Sequence, residues 1–218
     1  MFTMYFTTLL ALSAGLYSAT GAPNVKLQLL YESLCPYSRA FILDQLVPTY
    51  AVLNTILDVD LVGFGVAAKA NWTKVTNPDG TYDLTFQCQH GPQECIGNEI
   101  HACVVESEPI GRALTLFGCM YNSTNYKLPA TAAKECSTKL GFNYTAIDEC
   151  ASGPLGRGLH LRNGERFHAA NPVAKTVPHI VLNGVFTQAQ NERAEKDLFG
   201  LVCDIYTGKR PEQCPVSM

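Results

Sequence analysis

Apolar and polar side chains alternate in residues 25–29 and again in residues 57–66, which is the pattern of half-buried β-strands. Between these stretches an apolar repeat of helical type begins near Phe41. It continues past Pro48, which we expect to kink the helix rather than end it. Strand, helix and strand at this spacing predict a βαβ unit with two parallel strands.

The first strand passes into the helix at Cys35, within the sequence Cys35-Pro36-Tyr37-Ser38. The free N–H groups and the dipole at a helix start favour an anionic sulfur. This position therefore predicts a reactive thiol, with Pro36 and Tyr37 as its neighbours. The alternative is that Cys35 forms one half of a structural disulfide.

The middle of the chain, from Cys88 to Cys150, consists of cysteine-bearing segments of helical length. We expect a helical insertion at about residues 84–170, held together by disulfides. The glycine-rich residues 153–164 are expected to interrupt it. The three predicted helices are residues 94–105, 110–121 and 130–140.

The last third returns to a β pattern. Apolar residues 179–182 are followed by Asn183-Gly184 and a second short apolar run, which predicts a hairpin with a type I′ turn. A final helix is predicted from the spacing of Leu198, Leu201, Val202 and Ile205.

Val177-Pro178 stands directly before this hairpin. The order of strand, cysteine-headed helix, strand, proline, hairpin and helix is that of the thioredoxin fold, in which a cis-proline lies beside the active-site cysteine. The predicted fold class is therefore α/β, thioredoxin-like, with a disulfide-stapled helical insertion. Pro178 is predicted to be cis and to contact Cys35, with Val177 and His179 as possible neighbours.

The cysteine count agrees with a reactive Cys35. The chain has nine cysteines; eight lie after residue 87, and Cys35 stands apart. In an oxidising compartment this predicts four disulfides and one free thiol. Cys203 and Cys214 flank the end of the last helix and are expected to pair. The other six, for which 15 pairings are open, are Cys88, Cys95, Cys103, Cys119, Cys136 and Cys150.

Residues 1–21 carry no charged side chain and end in small residues, which predicts a signal peptide cleaved after Gly21. A membrane anchor is the alternative, but the apolar run is short for a bilayer, and no membrane span is expected elsewhere. Residues 22–218 then form one domain. Sequons at Asn71, Asn122 and Asn143 predict N-glycosylation and a secretory route, with a secreted or lysosomal destination.

A formal charge of −3 without a basic run argues against nucleic acid as a partner. A zinc site could be drawn from Cys88, His90, Cys95, His101 and Cys103. Its spacing is not a usual ligand pattern, and we expect no metal. His160 and His168 are expected to face solvent or to cap the insertion.

The stretch from Cys88 to Cys103 reads C-Q-H-G-P-Q-E-C-I-G-N-E-I-H-A-C. It resembles the signature C-Q-H-G-x-x-E-C-x-x-N of the gamma-interferon-inducible lysosomal thiol reductase family. Further similar positions are Arg39-Ala40-Phe41, Val177-Pro178, Asn183-Gly184 and the ending Val202-Cys203 to Cys214-Pro215. The resemblance implies a thioredoxin-like fold, reduction of disulfides in protein substrates, glycosylation, and endolysosomal delivery or secretion.

The sequence departs from the family at the catalytic motif, since Ser38 stands where the best-known members have the second cysteine of C-x-x-C. In a dithiol reductase this second thiol resolves the mixed disulfide with the substrate. Ser38 cannot do so, although its hydroxyl could donate a hydrogen bond to the Cys35 thiolate. We therefore expect a monothiol oxidoreductase with the site residues Cys35, Ser38 and Pro178. It needs no bound cofactor and is resolved by external glutathione or cysteine.

Two other classes of function remain open. A thioredoxin-fold protein without turnover would trap its partners as mixed disulfides on Cys35. A saposin-like lipid binder would also carry glycosylated helices stapled by six cysteines, but the βαβ unit and the hairpin disfavour it.

Overall fold

The structure, a computed structural model, describes residues 22–215, so the predicted signal peptide lies outside the described residues. Strands and helices are numbered here in chain order. They are β1 (Val25–Tyr31), α1 (Pro36–Phe41), a π-helical stretch (Ile42–Leu46), α2 (Val47–Leu53), β2 (Leu57–Gly63), β3 (Asn71–Thr76), β4 (Tyr82–Gln87), α3 (Pro92–Ser107), α4 (Ile110–Asn122), α5 (Pro129–Leu140), α6 (Tyr144–Ser152), α7 (Pro154–His168), β5 (His179–Leu182) and α8 (Gln188–Ile205).

A three-stranded sheet in the order β2-β1-β5 forms the centre of the fold. Strand β1 is parallel to β2, with Val25 opposite Leu57. It is antiparallel to β5, with Leu30 opposite His179. The predicted βαβ unit is confirmed, and the fold is α/β and thioredoxin-like.

Strand β1 is buried on both faces of the sheet towards its C-terminal end. Leu27, Leu29 and Tyr31 belong to the main core. Leu30 points to the opposite face and packs in a second core cluster with Phe64. The polar side chains of the first half of β1 are exposed or half-buried, which accounts for the alternation in the sequence. The loop that follows β1 therefore starts from a rigid position.

The helical path continues past Pro48, as predicted, but it changes its hydrogen bonding just before the proline. The N–H of Val47 reaches back to the carbonyl of Ile42, five residues earlier. Pro48 has no N–H and lies in the first turn of α2, where a donor is not needed. The π-helical stretch thus carries the chain from α1 into α2.

Five helices, α3 to α7, lie between β4 and β5, and α3 packs against α5, α6 and α7. Two disulfides join α3 to α6 and α4 to α5, and all four predicted disulfides form within residues 22–215. The pairs are Cys88–Cys95, Cys103–Cys150, Cys119–Cys136 and Cys203–Cys214. In this part of the chain no helix combines the length and the apolar character needed to cross a membrane.

Gly153 separates α6 from α7, but residues 154–164 do not interrupt the helical region, so the expectation of a break over the whole stretch is wrong. The other glycines of the stretch lie in α7, a helix of 15 residues. Two of the glycines permit close packing: a Cβ at Gly156 would lie 2.8 Å from Ala151 Cα, and one at Gly164 would lie 2.8 Å from the ring of Phe64. Glycine serves here to bring neighbours close to the helix rather than to break it.

The predicted Asn183-Gly184 turn is present, with φ angles of 51° and 79°. The second strand of that hairpin is reduced to a single bridge between Leu182 and Val185. A different hairpin, β3–β4, was not predicted. Its side chains are mostly exposed, so its sequence lacks an alternating apolar pattern.

The expected solvent exposure of His160 is wrong and His168 is half-buried, because α7 packs against the β3–β4 hairpin. His160 is fully buried, and its ring stacks on Phe86 with 4.2 Å between centroids. The ring of His168 stacks on Trp72 at 5.0 Å. Both histidines are part of the packing between α7 and the hairpin.

Two glycines of α7 should respond in opposite ways to alanine. Gly158→Ala adds a Cβ with nothing within 4 Å and should stabilise the helix by about 0.5–1 kcal/mol. Gly164→Ala presses its Cβ on Phe64 and should lower the free energy of unfolding by about 1–3 kcal/mol. Urea unfolding with disulfides intact measures both. Equal stabilisation by the two substitutions would contradict the packing of α7 described here.

Candidate active site

Cys35 is the N-cap residue of α1, at the end of a short loop that follows β1. The Cys35 N–H donates to Glu32 O at 3.2 Å, and the Cys35 carbonyl accepts from Arg39 N–H at 2.9 Å. Pro36 occupies the first turn of the helix, where its fixed φ angle fits and no donor is lost. The strand–helix junction predicted from the sequence is therefore present at Cys35.

Helix α3 of the insertion holds this loop through direct hydrogen bonds. Asn98 Oδ1 accepts from the N–H of Ser33 at 3.0 Å, and the Ser33 hydroxyl donates to the Glu94 carbonyl at 3.0 Å. The Glu94 carboxylate accepts from the N–H of Leu34 at 3.3 Å. A Cβ on Gly97 would lie 2.5 Å from Ser33 Oγ, so only glycine lets the loop approach α3 this closely.

Three ionisable side chains meet behind the loop. Glu32 and Glu94 are fully buried, and His90 reaches both: its Nδ1 lies 2.5 Å from Glu94 Oε2 and 3.5 Å from Glu32 Oε2. Glu32 Oε1 accepts from the N–H of Val66 at 3.3 Å, while its Oε2 has no hydrogen-bond partner. Burial, and then the neighbouring Glu94 carboxylate, raise the pKa of Glu32 to about 7.

The same three residues offer one ligand atom each within 4.8 Å, which is the only grouping of this kind in residues 22–215. Two ligands of one zinc ion, each at ~2.0–2.2 Å from the metal in a tetrahedron, lie roughly 3.3 Å apart. The 2.5 Å contact between His90 and Glu94 is too short for that. The contact is that of a hydrogen bond between the imidazole and the carboxylate.

Cys35 is the free cysteine of the described chain and is buried, with 5% of its surface exposed. All the cysteines of the zinc alternative are consumed in disulfides. Of its histidines, His101 is buried against Tyr31 and Phe117, and burial lowers its pKa to about 3. Those residues therefore do not form a metal site.

Ser38 lies three residues after Cys35 and is fully buried. Its Oγ accepts a long hydrogen bond of 3.5 Å from the N–H of Glu32. No hydrogen bond joins the Ser38 hydroxyl to the Cys35 sulfur in the part of the chain that the structure describes. Since the oxygen acts as an acceptor, the hydroxyl proton remains free to be donated.

Pro178 is buried, and the Val177–Pro178 bond is cis, as predicted. Because Leu30 pairs with His179, the register puts Pro178 beside the end of β1 from which the Cys35 loop departs. Contact between Pro178 and Cys35 stays a prediction. Val177 packs in the second core cluster.

His179, predicted as a possible neighbour of the thiol, stacks on Phe186 with 3.9 Å between ring centroids. It is buried, and burial lowers the pKa of His179 and so disfavours its charged form. A stabilising positive charge beside Cys35 is therefore not expected from this residue.

A cleft of about 460 Å³ opens beside the loop that carries Cys35. It is lined by Leu34, Pro36, His90, Gln93, Tyr126 and Lys127. Leu34 and Pro36 flank Cys35, so the cleft reaches the residues next to the thiol. Tyr37 is 71% exposed and lies at the protein surface. Arg39 supports the far wall, with its guanidinium 4.6 Å from the centroid of the Tyr126 ring.

The three sequon asparagines, Asn71, Asn122 and Asn143, are all exposed. Asn143 also caps α6, since its Oδ1 accepts from the N–H of Ala146 at 3.2 Å. Its Nδ2 is the atom that a glycan would use. Exposure is compatible with glycosylation at each position.

Glu32, Glu94 and Asn98 were not predicted as site residues, and His90 was named only as a ligand of the zinc alternative. Three of them belong to the stretch from Cys88 to Cys103 on which the family resemblance depends, so the signal was present without a stated role. Their contacts with one another and with the Cys35 loop form only when α3 packs against that loop in the folded chain.

Glu32 should make stability depend on pH. Its folded-state pKa is raised to about 7, so the folded protein holds this proton more tightly than the unfolded chain. The resulting stabilisation is complete below the ordinary carboxyl pKa of ~4.3 and is lost as pH rises through about 7. Over this pH range we expect the free energy of unfolding of wild type to fall by on the order of 1–3 kcal/mol relative to that of Glu32→Gln.

Urea unfolding between pH 4 and 8 measures this difference, with the exposed Glu165→Gln as the matched control. Stability curves of wild type and Glu32→Gln that run parallel over the whole range would contradict the buried, proton-holding state of Glu32.

The sequence matches the family described as "Gamma interferon inducible lysosomal thiol reductase (GILT)" over residues 26–140. It is 34% identical over 199 residues to "Gamma-interferon-inducible lysosomal thiol reductase" of Carassius auratus, covering 88% of this chain and 73% of that protein. It is 30% identical over 202 residues to the protein of the same name from Mus musculus, covering 88% and 73%.

Among solved structures, the fold is similar to DsbA of Chlamydia trachomatis, with a TM-score of 0.53 at 11% identity. The likeness covers 82% of this chain and 88% of that one, and it shows the thioredoxin-like fold. The family match spans both the Cys35 loop and the stretch from Cys88 to Cys103 that holds it. The chain belongs to the gamma-interferon-inducible lysosomal thiol reductase family.

Proposed function

We propose that this protein reduces disulfides of protein substrates through Cys35 alone, with an external small thiol as the reductant. Membership in a thiol reductase family and a fold shared with DsbA support thiol–disulfide oxidoreductase activity. The single observation that carries the monothiol mechanism is the cysteine inventory of residues 22–215. Every cysteine except Cys35 is in a disulfide, and position 38 is serine.

The proposed reaction starts with attack of the Cys35 thiolate on a substrate disulfide. A mixed disulfide forms, and one substrate sulfur leaves as a thiolate that takes up a proton. A first small thiol then attacks the Cys35 sulfur and releases the second substrate thiol. A second small thiol attacks the resulting adduct, frees Cys35 and leaves as the small disulfide. Two thiols, glutathione or cysteine, thus supply two electrons and two protons for each substrate disulfide.

The proposed location is the secretory pathway, with lysosomal or extracellular delivery. The relatives named above are described as lysosomal thiol reductases, which supports such a route. The exposed sequons and the disulfides of the insertion are consistent with an oxidising compartment. We propose no bound cofactor and no nucleic-acid partner.

The second candidate function is a trap that holds partners as mixed disulfides on Cys35. The serine at position 38 favours it, since no second thiol is close by in the same motif. The two functions differ in turnover: a trap stops after one equivalent of substrate, whereas a reductase continues when small thiol is present. The lipid-binding alternative is not proposed, because the β2-β1-β5 sheet does not belong to an all-helical fold.

The test of the proposed function is reduction of a denatured disulfide-containing protein at acidic pH with excess glutathione or cysteine. Wild type should turn over many equivalents, and Cys35→Ala should be no faster than the small thiol alone. One equivalent or less from wild type at every thiol concentration would leave the trap as the function.

Ser38→Cys should weaken the dependence on external thiol. An internal thiol acts at an effective concentration near ~1 mM or above, so turnover with well below 1 mM glutathione should rise about tenfold or more. Ser38→Ala is the matched control, since it removes the hydroxyl without adding a thiol. If Ser38→Cys depended on external thiol as strongly as wild type, resolution would not be the step that Ser38 limits.

A further inference from the structure

The ionisable side chain of His90 lines the cleft beside the Cys35 loop. The proposed mechanism assigns it no role. Its side chain is 30% exposed, whereas the carboxylates of Glu32 and Glu94 that it contacts are fully buried. One edge of the imidazole ring is thus held inside the protein and the other is open. This is the arrangement of a histidine that is oriented by carboxylates and can exchange protons with a ligand.

The hydrogen bonds define which ring nitrogen is available. Nδ1 lies against the carboxylate oxygens of Glu94 and Glu32, at 2.5 and 3.5 Å, and therefore carries a proton. In residues 22–215 no hydrogen bond occupies Nε2, so this nitrogen is free to give or take a second proton. When it is protonated, the positive charge of the ring lies against the Glu94 carboxylate, with Glu32 as a second acidic neighbour.

The backbone also fixes the position of His90. Its N–H donates to Glu94 Oε1 at 3.0 Å, so one carboxylate holds both the main chain and the ring. The Cys88–Cys95 disulfide closes the turn that contains His90. Glu94 also accepts from Leu34, the residue before Cys35, so His90 and the thiol loop are anchored to the same side chain.

His90 lines the cleft together with Leu34 and Pro36, the two residues that flank Cys35. Gln93, Tyr126 and Lys127 complete its walls. His90 and the two residues that flank Cys35 thus face the same cleft.

We propose that His90 is a catalytic acid and base of thiol exchange at Cys35, with Glu94 and Glu32 as its positioning residues. This inference rests on the proposed function, since it assigns a proton donor to that reaction. As Cys35 attacks, the sulfur–sulfur bond of the substrate breaks and the leaving sulfur takes the proton from Nε2. The neutral ring then accepts the proton of the first small thiol, whose thiolate attacks the Cys35 sulfur and expels the second substrate sulfur. That sulfur takes the proton from the ring, and the ring regains one from the second small thiol, whose thiolate frees Cys35. Over the cycle the ring gives two protons and regains two.

Acid catalysis of this kind depends on the leaving group, which provides a sharp test. An aliphatic thiolate is a poor leaving group and gains from a proton, whereas an aromatic thiolate of low pKa leaves without one. Reduced protein is mixed with excess of either an aliphatic disulfide, such as glutathione disulfide, or an aromatic one, without small thiol. The single-turnover rate of adduct formation on Cys35 is then measured by mass spectrometry.

His90→Gln should slow the reaction with the aliphatic disulfide about 10- to 100-fold, at or below the usual range for general acid catalysis. The same variant should react with the aromatic disulfide within about twofold of wild type, which also shows that its site is folded. His168→Gln, at a histidine that stacks on Trp72 outside the cleft, is the matched control and should leave both rates unchanged.

Equal slowing of both reactions by His90→Gln would overturn the inference, because it would mean that His90 only supports the loop. Unchanged rates with both disulfides would overturn it as well. The outcome for the proposed function is read separately: if Cys35→Ala formed adducts as fast as wild type, Cys35 would not be the nucleophile, and both proposals would fall.

Discussion

The active-site loop is held in place by hydrogen bonds between residues 32–34 and two side chains of α3. Asn98 binds the backbone of Ser33, and Glu94 binds the backbone of Leu34. These two residues are four positions apart and therefore lie on the same face of the helix, where Gly97 leaves room for the loop. The thioredoxin-like sheet supplies the strand that leads to Cys35, but the helical insertion determines where the loop runs.

This anchoring brings two buried carboxylates within reach of one histidine. A buried carboxylate without a partner costs several kcal/mol, and two of them side by side cost more. Burial and the neighbouring Glu94 carboxylate raise the pKa of Glu32 to about 7, so that a retained proton offsets part of that cost, and the nearby His90 lowers this pKa in the opposite sense. An apolar cluster would stabilise the loop without such a penalty. The retention of three ionisable groups at this point is the physical reason to look for proton transfer there.

The sequence predicted the features that show as a periodic pattern of apolar residues or as a count of cysteines. The first halves of strands β1 and β2 alternate buried and more exposed side chains, helices α3 to α5 have the length of their apolar segments, and nine cysteines with one standing apart indicated the free Cys35. Helix α7 was missed because its glycines were interpreted as breaks, although Gly164 allows contact with Phe64. The Glu32–His90–Glu94 network was missed because it joins side chains about sixty residues apart, and only the folded chain shows that they meet.

The most direct test of the account is to capture the covalent intermediate. Reduced protein is mixed with a disulfide-containing protein substrate in the absence of small thiol, quenched with acid, and the mixed disulfide is mapped by mass spectrometry. We expect the substrate to be joined to Cys35, with the four structural disulfides intact, and we expect added glutathione to release it and regenerate the free thiol. An adduct on any other cysteine, or none at all, would contradict the assignment of Cys35 as the nucleophile.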